Sequence, residues 1–452
     1  MTNKYAVCII LLLGLIISLP HSVYASSKVD KAVLTTNQPT IKVGLWSKQS
    51  SVLISMESDF ALVDTETKEV VNKFTGKEKV IVSYRNGQLL VNGKDIKAKS
   101  ISVSAKQANT DCFIDVNKKS YRGDIEIRRT ASGLTVINKL PIEQYLYGIV
   151  PEEMPSEWPL EAIKAQAVAA RTFALYSLNK HSEYGFDVCA STDCQVYGGR
   201  SSETDKATKA VNATAGMIAA YGGKPIPAFF HSSSGGFTEN SENVWGTFFP
   251  FLRAVEDYDQ KSPSYKWEKQ FTAVEISEAL RKAGYNIGAI QAIELSPLTK
   301  ASDTNNDRGV SGRVKTIKFI GTNGIASLNG NKLRTMLSLK STLFDIKILA
   351  PVDKSIDVRI TDSAGDRETK KIEINLPPRQ ERGLITDKEN IHRLTGRTGE
   401  MISITGSGWG HGLGMSQWGA KAMAEKGPAG DATYFKEILK HYYQSIDIKK
   451  AY

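Results

Sequence analysis

The sequence lacks the short motifs that bind phosphates, cleave esters or contact nucleic acids. In the glycine-rich segment 406–420, the dinucleotide fingerprint fails at its third glycine position, which is His411, Leu413, Met415 or Gln417 when Gly406, Gly408, Gly410 or Gly412 begins it. No glycine of the segment is followed directly by lysine, as a P-loop requires, so we expect no nucleotide cofactor. The GxSxG elbow of serine hydrolases is absent, and no basic stripe with interleaved aromatics indicates a nucleic-acid partner.

Long apolar runs are also scarce, and the only one that approaches membrane length lies at the N-terminus. Lys4 precedes the apolar run 6–19, which ends at residues 23–25 with the spacing of a cleavage site. We therefore predict a secretory signal peptide at residues 1–25 and an exported protein, with an uncleaved N-terminal anchor as the alternative. Cys8 lies at the start of the run rather than just after it, which argues against a lipoprotein anchor.

Cysteine is rare, with 4 in 452 residues, and Cys8 falls within the predicted signal peptide. The mature chain keeps Cys112, Cys189 and Cys194. Outside the cell, an odd number of cysteines leaves at least one thiol unpaired or engages several of them in a metal site.

The chain is basic, with a net charge of +10, and Lys4 is the one charged residue of the predicted signal peptide. An exported basic protein meets anionic wall polymers, lipid headgroups or acidic glycans. The charges are spread along the chain rather than gathered in a run, which favours an ordinary solvated basic face over a binding surface.

The pattern along the chain predicts an α+β protein of two or three domains. Residues 26–137 contain alternating segments such as SVLISM and KVIVSY, separated by NG, GK and SG turn signals, which indicate a β-rich region. From residue 138, apolar residues recur at steps of three and four after Pro159 and predict a long amphipathic helix. We expect a core domain at 138–264 and 396–452, interrupted by an inserted mixed α/β segment at 265–395.

Glu153 is the best candidate for a proton donor. It lies in VPEEMPSEW, where Met154, Pro155 and Trp158 surround it with apolar surface just before the long helix. Such surroundings disfavour the charged form of a carboxyl and raise its pKa towards neutrality, as glycoside chemistry requires. The alternative is that the acidic residues here only favour a helix N-terminus through its dipole.

His181, Cys189 and Cys194 lie close together in the segment that follows the long helix. A histidine and two cysteines at this spacing could bind one zinc ion and leave a fourth position for water or another side chain. A disulfide between Cys189 and Cys194 is the alternative in an exported protein.

Two polar, glycine-rich loops are candidates for sugar binding. The loop HSSSGGFTENSENVWG, residues 231–246, offers hydroxyls and amides, and GSGWGHGLGMSQWGA, residues 406–420, adds Trp409 and Trp418. Glycine permits close approach of the main chain to a ligand, and indole faces stack on pyranose rings. The tryptophans could instead be core anchors and the glycines ordinary turns.

Five motifs, in this order, resemble the stage II sporulation protein D family, which includes the amidase enhancer proteins. They are SYRGDIEIRR, LPIEQYLYGIVPEEMPSEWPLEAIKAQAVAARTFAL, DVCASTDCQVYGG, FFHSSSGGFTENSENVWG and GSGWGHGLGMSQWGA. The resemblance covers roughly residues 120–452 and implies a peptidoglycan-active protein outside the membrane. Sporulation members are lytic transglycosylases that cut peptide-stripped glycan between N-acetylmuramic acid and N-acetylglucosamine and leave a 1,6-anhydro end.

The resemblance also implies roles for individual residues. The catalytic glutamate of the family motif V-x-x-E-M-P falls on Glu153, and Glu152 and Glu239 are candidates for a second carboxylate. Some members hold zinc through the residues that match His181, Cys189 and Cys194. We further expect four residues to line the glycan groove: Ser234, Trp409, His411 and Gln417. The alternative function is a peptidoglycan-binding enhancer of an N-acetylmuramoyl-L-alanine amidase that does not itself cut.

Overall fold

The structure is a computed structural model that describes residues 38–104, 112–298, 306–351, 355–361, 365, 367–373, 382–385 and 390–452. The predicted signal peptide at 1–25 lies outside the described residues. In the part of the chain that is described, no helix is both long and apolar enough to cross a membrane.

Helices and strands alternate along the described chain and confirm the α+β class with a β-rich N-terminal part. The helices are α1 (Ile142–Tyr147), α2 (Val150–Glu153), α3 (Leu160–Tyr176), α4 (Asp205–Ala213), α5 (Ser241–Trp245), α6 (Ala273–Lys282), α7 (Gly330–Met336), α8 (Gln417–Lys426) and α9 (Phe435–Tyr442). The strands before α3 are β1 (Thr40–Gln49), β2 (Ser51–Met56), β3 (Phe60–Asp64), β4 (Val70–Phe74), β5 (Val80–Arg85), β6 (Gln88–Val91), β7 (Lys94–Asp95), β8 (Ser100–Ser104), β9 (Ile114–Val116), β10 (Lys119–Tyr121), β11 (Asp124–Thr130) and β12 (Gly133–Pro141). The later strands are β13 (Val188–Cys189), β14 (Met217–Tyr221), β15 (Lys224–Pro225), β16 (Phe230–His231), β17 (Trp267–Phe271), β18 (Ile290–Glu294), β19 (Thr316–Gly321), β20 (Gly324–Asn329), β21 (Phe344–Pro351), β22 (Ser355–Thr361), β23 (Arg367–Glu373), β24 (Arg382–Ile385), β25 (Ile391–Arg393), β26 (Met401–Gly406), β27 (Met415–Ser416) and β28 (Asp447–Lys450).

Two large sheets form the N-terminal part. One has the order β13-β1-β12-β11-β8-β3-β4 and the other β10-β9-β2-β5-β6-β7. Every second residue of β2 is buried, namely Val52, Ile54 and Met56, as the alternating sequence predicts for a half-buried strand. Residues of both sheets share one hydrophobic cluster, so the two sheets form a common core.

The helix α3 is the centre of the following part. Its residues 162–174 are all buried, so the helix is enclosed on every side rather than on a single face. Small residues such as Ala165 and Ala169 pack in a cluster that also contains residues of α8 and α9. At its C-terminal half, the buried Arg171 donates to Glu143 of α1 over 2.7 Å, and this ion pair ties the two helices together.

A second core lies between two four-stranded sheets, with the orders β17-β26-β21-β24 and β20-β19-β18-β25. The helices α6 and α7 contribute Ile276, Leu280 and Leu333 to its hydrophobic cluster. The strand β26 lies inside this core, although it follows residue 395 in the chain. The domain limits drawn from the sequence stay a prediction.

Two loops that are far apart in the chain meet through a short parallel pair. Phe230 and His231 of β16 pair with Met415 and Ser416 of β27. Next to this pair, the backbones of Ser233 and Trp409 exchange hydrogen bonds of 2.7 and 3.0 Å. The two loops predicted to bind sugar are therefore joined into one surface.

Candidate functional site

The joined loops border a groove of about 590 Å³. Its lining comes from the end of α2, the loop after β13, the segment around β16, the end of α5, α7 and the glycine-rich loop. The lining residues are Glu153, Phe173, Thr192, Asp193, Cys194, Gln195, Val196, Phe229, Phe230, His231, Ser232, Trp245, Arg334, Trp409, Gly410, His411 and Gln417. Of the residues predicted to act on glycan, the structure brings together Glu153, Trp409, His411 and Gln417.

Glu153 is the last residue of α2 and is held from the opposite side of the groove by α8. Gln417, the first residue of α8, donates from Nε2 to Oε2 of Glu153 over 3.1 Å. Trp158 and Trp418 contact each other edge to face, with ring centroids 4.9 Å apart. This aromatic contact fixes the position of α8 relative to the segment that carries Glu153.

Burial raises the pKa of Glu153 to about 7. The hydrogen bonds from Gln417 and from the backbone of Val196 act in the opposite direction and lower it, and the charge of Glu152 adds a smaller upward contribution. The side chain is half-buried, so the groove keeps access to a carboxyl that is protonated in a large fraction of molecules near neutral pH.

His231 and His411 form a neutral wall of the groove, with their ring centroids 5.3 Å apart. The backbone N–H of Leu413 donates to Nδ1 of His411 over 3.0 Å, and Nδ1 of His231 lies 3.1 Å from the carbonyl of Leu413. Burial lowers the pKa of both rings, to about 3 for His411. Neither ring carries a charge at neutral pH, so these histidines shape the groove rather than provide a cation.

The two tryptophans of the glycine-rich loop have different environments. Trp409 is 51% exposed at the groove, with Nζ of Lys340 5.5 Å from its ring centroid. Trp418 packs against Trp158 and serves the fold. Trp245, 44% exposed, adds a second accessible indole to the groove.

Ser234, which the sequence predicts in the groove, lies outside its lining. It is fully buried, and its hydroxyl donates to Asp257. The neighbouring Ser233 donates in the same way to Asp259, which also accepts a 2.8 Å hydrogen bond from the backbone of Gly235. These serines hold their own loop in shape.

The two candidates for a second carboxylate also lie outside the groove lining. Glu152 is exposed and accepts a hydrogen bond from Ser202. Glu239 is fully buried and accepts from the backbone of Val310 and from both the backbone and the hydroxyl of Ser311. Glu239 thus anchors the segment around residue 310.

A cluster of possible metal ligands borders the groove. His181, Cys189 and Cys194 are joined by Asp193, and the ligand atoms of all four lie within 4.8 Å of one another. The Sγ atoms of Cys189 and Cys194 are 3.1 Å apart, and Nε2 of His181 lies 3.3 Å from Sγ of Cys194. One nitrogen, two sulfurs and one oxygen in such a compact group fit the tetrahedral coordination of zinc.

The strand β13 determines where this cluster lies. Val188 and Cys189 add to β1 as a parallel neighbour, opposite Val43 and Gly44. Phe186 packs against Gly44, where a Cβ atom would come within 2.6 Å of the ring. The cluster is therefore attached to the large N-terminal sheet on one side and, through Asp193 and Cys194, contributes to the groove on the other.

Sequence reasoning missed Asp193, His231, Trp245 and Arg334. Asp193 is adjacent to Cys194 in the chain, and a search for oxygen ligands next to the cysteines could have found it. His231 and Trp245 begin and nearly end the loop 231–246 that the sequence singled out. For Arg334, nothing in its local sequence signals that it lies in the groove.

Comparison with known protein families gives two matches. A family described as "SpoIID: Stage II sporulation protein" matches residues 130–221, and a "Domain of unknown function (DUF8618)" matches residues 238–365. The second match begins before residue 265 and ends at residue 365, so it covers only part of the segment 265–395 that we expected to be inserted.

Three similar proteins are informative. An uncharacterized protein of Brachyspira hyodysenteriae is 30% identical over 91% of this chain and 93% of its own length. The Stage II sporulation protein D of Bacillus subtilis is 30% identical over 79% of this chain and 88% of its own length. An Amidase enhancer of Bacillus subtilis is 31% identical over 80% of this chain but only 48% of its own length. The chain therefore belongs to the stage II sporulation protein D family.

Proposed function

We propose that this member of the stage II sporulation protein D family is an exported lytic transglycosylase. Its substrate is the glycan of peptidoglycan after removal of the peptides. It cleaves the bond between N-acetylmuramic acid and N-acetylglucosamine and leaves a 1,6-anhydro end. The observation that carries the proposal is Glu153, whose pKa is raised to about 7 beside an aromatic groove.

The first chemical step uses Glu153 as an acid. The protonated carboxyl gives its proton to the glycosidic oxygen while the bond from that oxygen to the anomeric carbon breaks, so the sugar on the far side leaves as an alcohol. Positive charge that develops at the anomeric carbon is stabilised by the carboxylate left behind.

The second step uses the same carboxylate as a base. It takes the proton of the 6-hydroxyl of the muramic acid, whose oxygen forms the new bond to the anomeric carbon. Glu153 ends the cycle protonated, as it began, and no water is consumed. One carboxyl is therefore sufficient, in agreement with the absence of Glu152 and Glu239 from the groove lining.

The remaining groove residues support a sugar ligand. The exposed indoles of Trp245 and Trp409 offer flat apolar faces to pyranose rings. Gln417 orients the carboxyl of Glu153 through its 3.1 Å hydrogen bond. The rings of His231 and His411 are neutral, so they add no positive charge to this wall of the groove.

Zinc is part of the proposal as a structural element. His181, Cys189, Asp193 and Cys194 would hold the ion, which supplies a rigid cross-link between the N-terminal sheet and the groove. A disulfide between Cys189 and Cys194 is the alternative cross-link.

The test is the variant Glu153→Gln with purified, peptide-stripped glycan strands. General acid-base catalysis contributes about 100- to 10,000-fold, and we expect a loss of rate in that range with the fold intact. Mass analysis of the wild-type products should give anhydro-muramic ends. Glu157→Gln, which removes an exposed carboxyl four residues along the chain, is the matched control and should keep full activity. Full cleavage by Glu153→Gln would refute the assignment.

The second candidate is a binding protein that stimulates an amidase without cutting glycan. The specific observation in its favour is the similarity to the Amidase enhancer of Bacillus subtilis. Under this alternative, the glycan would be unchanged after incubation with the protein alone, and release of peptides by an added amidase would rise. Glu153→Gln would then stimulate the amidase as well as the wild type does.

A further inference from the structure

A second cavity adjoins the groove that contains Glu153. It has a volume of about 650 Å³, and its lining includes Arg313, Lys315 and Arg334. Trp245, Arg334 and His411 line both the groove and this cavity, so the two are neighbours with a common wall.

Arg334 is a cation in this common wall without an acidic partner. Its Nε donates to the carbonyl of Lys340 over 3.2 Å, which leaves the two terminal nitrogens available. Among the residues that the structure describes, no carboxylate forms an ion pair with it. A half-buried guanidinium is costly to leave uncompensated.

Arg313 lies behind this wall and is almost completely buried, at 2% exposure. Its Nη2 donates to the carbonyl of Ser234 over 2.6 Å. Within the described chain, Nε and Nη1 of Arg313 have no acceptor. Buried donors without partners are rare in proteins, so Arg313 adds uncompensated positive charge behind this wall.

The two arginines make the boundary between groove and cavity electropositive. Both of them contribute to lowering the pKa of His411, which lies in the same wall. Burial lowers the pKa of Arg313 only to about 10, so the guanidinium is still charged at neutral pH. An anion that enters the groove therefore meets the guanidinium of Arg334 and an uncharged histidine, with the positive charge of Arg313 behind them.

We propose that Arg334, with Arg313 behind it, forms a subsite for the free lactyl carboxylate of a muramic acid residue held in the groove. In intact peptidoglycan that carboxyl is bound to the peptide as a neutral amide. Removal of the peptide releases the carboxylate, which the planar fork of a guanidinium binds with two parallel hydrogen bonds. The subsite thus selects strands that have lost their peptides. The subsite rests on the proposed function because it assumes that glycan occupies the groove; it does not assume that the protein cuts the glycan.

The experiment measures binding on the Glu153→Gln variant, which keeps the glycan uncut. One ligand is a peptide-stripped glycan fragment, and the other is the same fragment with its carboxylates converted to methylamides. Charge-assisted hydrogen bonds of a partly buried arginine correspond to about tenfold or more in affinity, so the free carboxylate should bind about tenfold more tightly. This comparison does not depend on the folding of any arginine variant.

Arginine variants on the same background then identify the cation. Arg334→Met should weaken binding of the carboxylate form about tenfold and leave the methylamide form unchanged. Arg334→Lys, which keeps the charge and loses the fork, should give an intermediate value. Lys332→Met removes the same charge from an exposed site on α7 outside both cavities, and it should keep the full preference.

Equal affinity for the two ligands, or a preference that persists in Arg334→Met, would overturn the subsite. If neither ligand binds, both the subsite and the glycan groove are wrong. Wild-type cleavage of the same glycan is measured in a separate experiment.

Cleavage by the wild type without a preference for the carboxylate ligand would contradict the subsite alone. An Arg334-dependent preference without cleavage by the wild type would support the subsite and contradict the transglycosylase.

Discussion

At the scale of single residues, two opposing effects determine the pKa of Glu153. Desolvation favours the neutral carboxyl, whereas the hydrogen bonds from Gln417 and Val196 favour the carboxylate. Desolvation is the larger effect, and the result is a pKa of about 7. The hydrogen bonds keep the carboxylate form populated as well, as the proposed use of Glu153 first as an acid and then as a base requires.

This competition predicts how stability depends on pH. Between the usual pKa of a glutamate and about 7, the folded protein holds a proton that the unfolded chain has released, so the free energy of unfolding falls as the pH rises through this window. Glu153→Gln removes the effect. Relative to wild type, it should gain stability at about pH 8, by at most about 3 kcal/mol, and little below about pH 5.

Urea unfolding of both proteins at these two pH values measures the difference. Glu157→Gln serves as the control, because it removes an exposed carboxyl from the same segment. The control should follow the wild type at both pH values. A Glu153→Gln variant whose stability differs from wild type by the same amount at acid and alkaline pH would show that the carboxyl is not held neutral by burial.

The raised pKa of Glu153 could be predicted from sequence because its apolar neighbours Met154 and Trp158 lie within five residues of it. The involvement of Arg334 could not be predicted in this way. Its position in the groove depends on contacts between α7 and a loop more than seventy residues away in the chain. Ser234 illustrates the converse, since its loop borders the groove as expected, but its own hydroxyl donates to Asp257.

At the scale of elements, the glycine-rich loop is built by close contacts with the protein itself. Gly412 has a φ of +84°, and a Cβ at this position would lie 2.2 Å from Nε of Arg313. At Gly408, where φ is +78°, a Cβ would lie 2.6 Å from the carbonyl oxygen of Ser233. The glycines thus allow two loops and a buried arginine to pack together, rather than only a ligand to approach.

Gly412→Ala should therefore destabilise the protein through both the backbone and the packing. A non-glycine residue in the left-handed region costs about 1–3 kcal/mol, and displacement of Arg313 adds about 1–3 kcal/mol. Gly430→Ala is the matched control, because φ is +80° there and nothing lies within 4 Å of the added Cβ. Thermal unfolding of both variants separates the two costs, and an equal loss in both would mean that the contact with Arg313 contributes nothing.

The elements that sequence periodicity predicts best are those with local signals. The strand in SVLISM and the helix after Pro159 form where they were expected. The sequence pattern at 204–218 also predicts a helix, but α4 ends at Ala213 and β14 begins at Met217; Gly216 between them has a φ of +73°, which a continuous helix does not allow. Complete burial of α3 could not be read from its pattern, since it depends on packing by α8 and α9 from the other end of the chain.

At the scale of the whole molecule, the groove exists only because distant segments converge. The parallel pair of β16 and β27 joins parts of the chain about 185 residues apart. On the other side, β13 ties the His181 cluster to β1, at the beginning of the described chain. Such long-range pairing carries no local sequence signal, so the arrangement of these segments around the groove could not be predicted from the sequence.

The cross-link at the His181 cluster makes a final prediction about the whole fold. If zinc occupies it, metal analysis should give one ion per chain, and a strong chelator should lower the melting temperature by about 5 °C or more. Cys189→Ser should lower it similarly and abolish the response to the chelator, whereas Cys112→Ser, at a cysteine outside the cluster, should behave as wild type. If a disulfide is present instead, a reductant rather than a chelator should lower the melting temperature, and titration should find two fewer free thiols.

Because Asp193 and Cys194 line the groove, loss of either cross-link should also weaken glycan binding by Glu153→Gln. If the chelator and the reductant each leave both the melting temperature and glycan binding unchanged, the cluster holds neither zinc nor a disulfide.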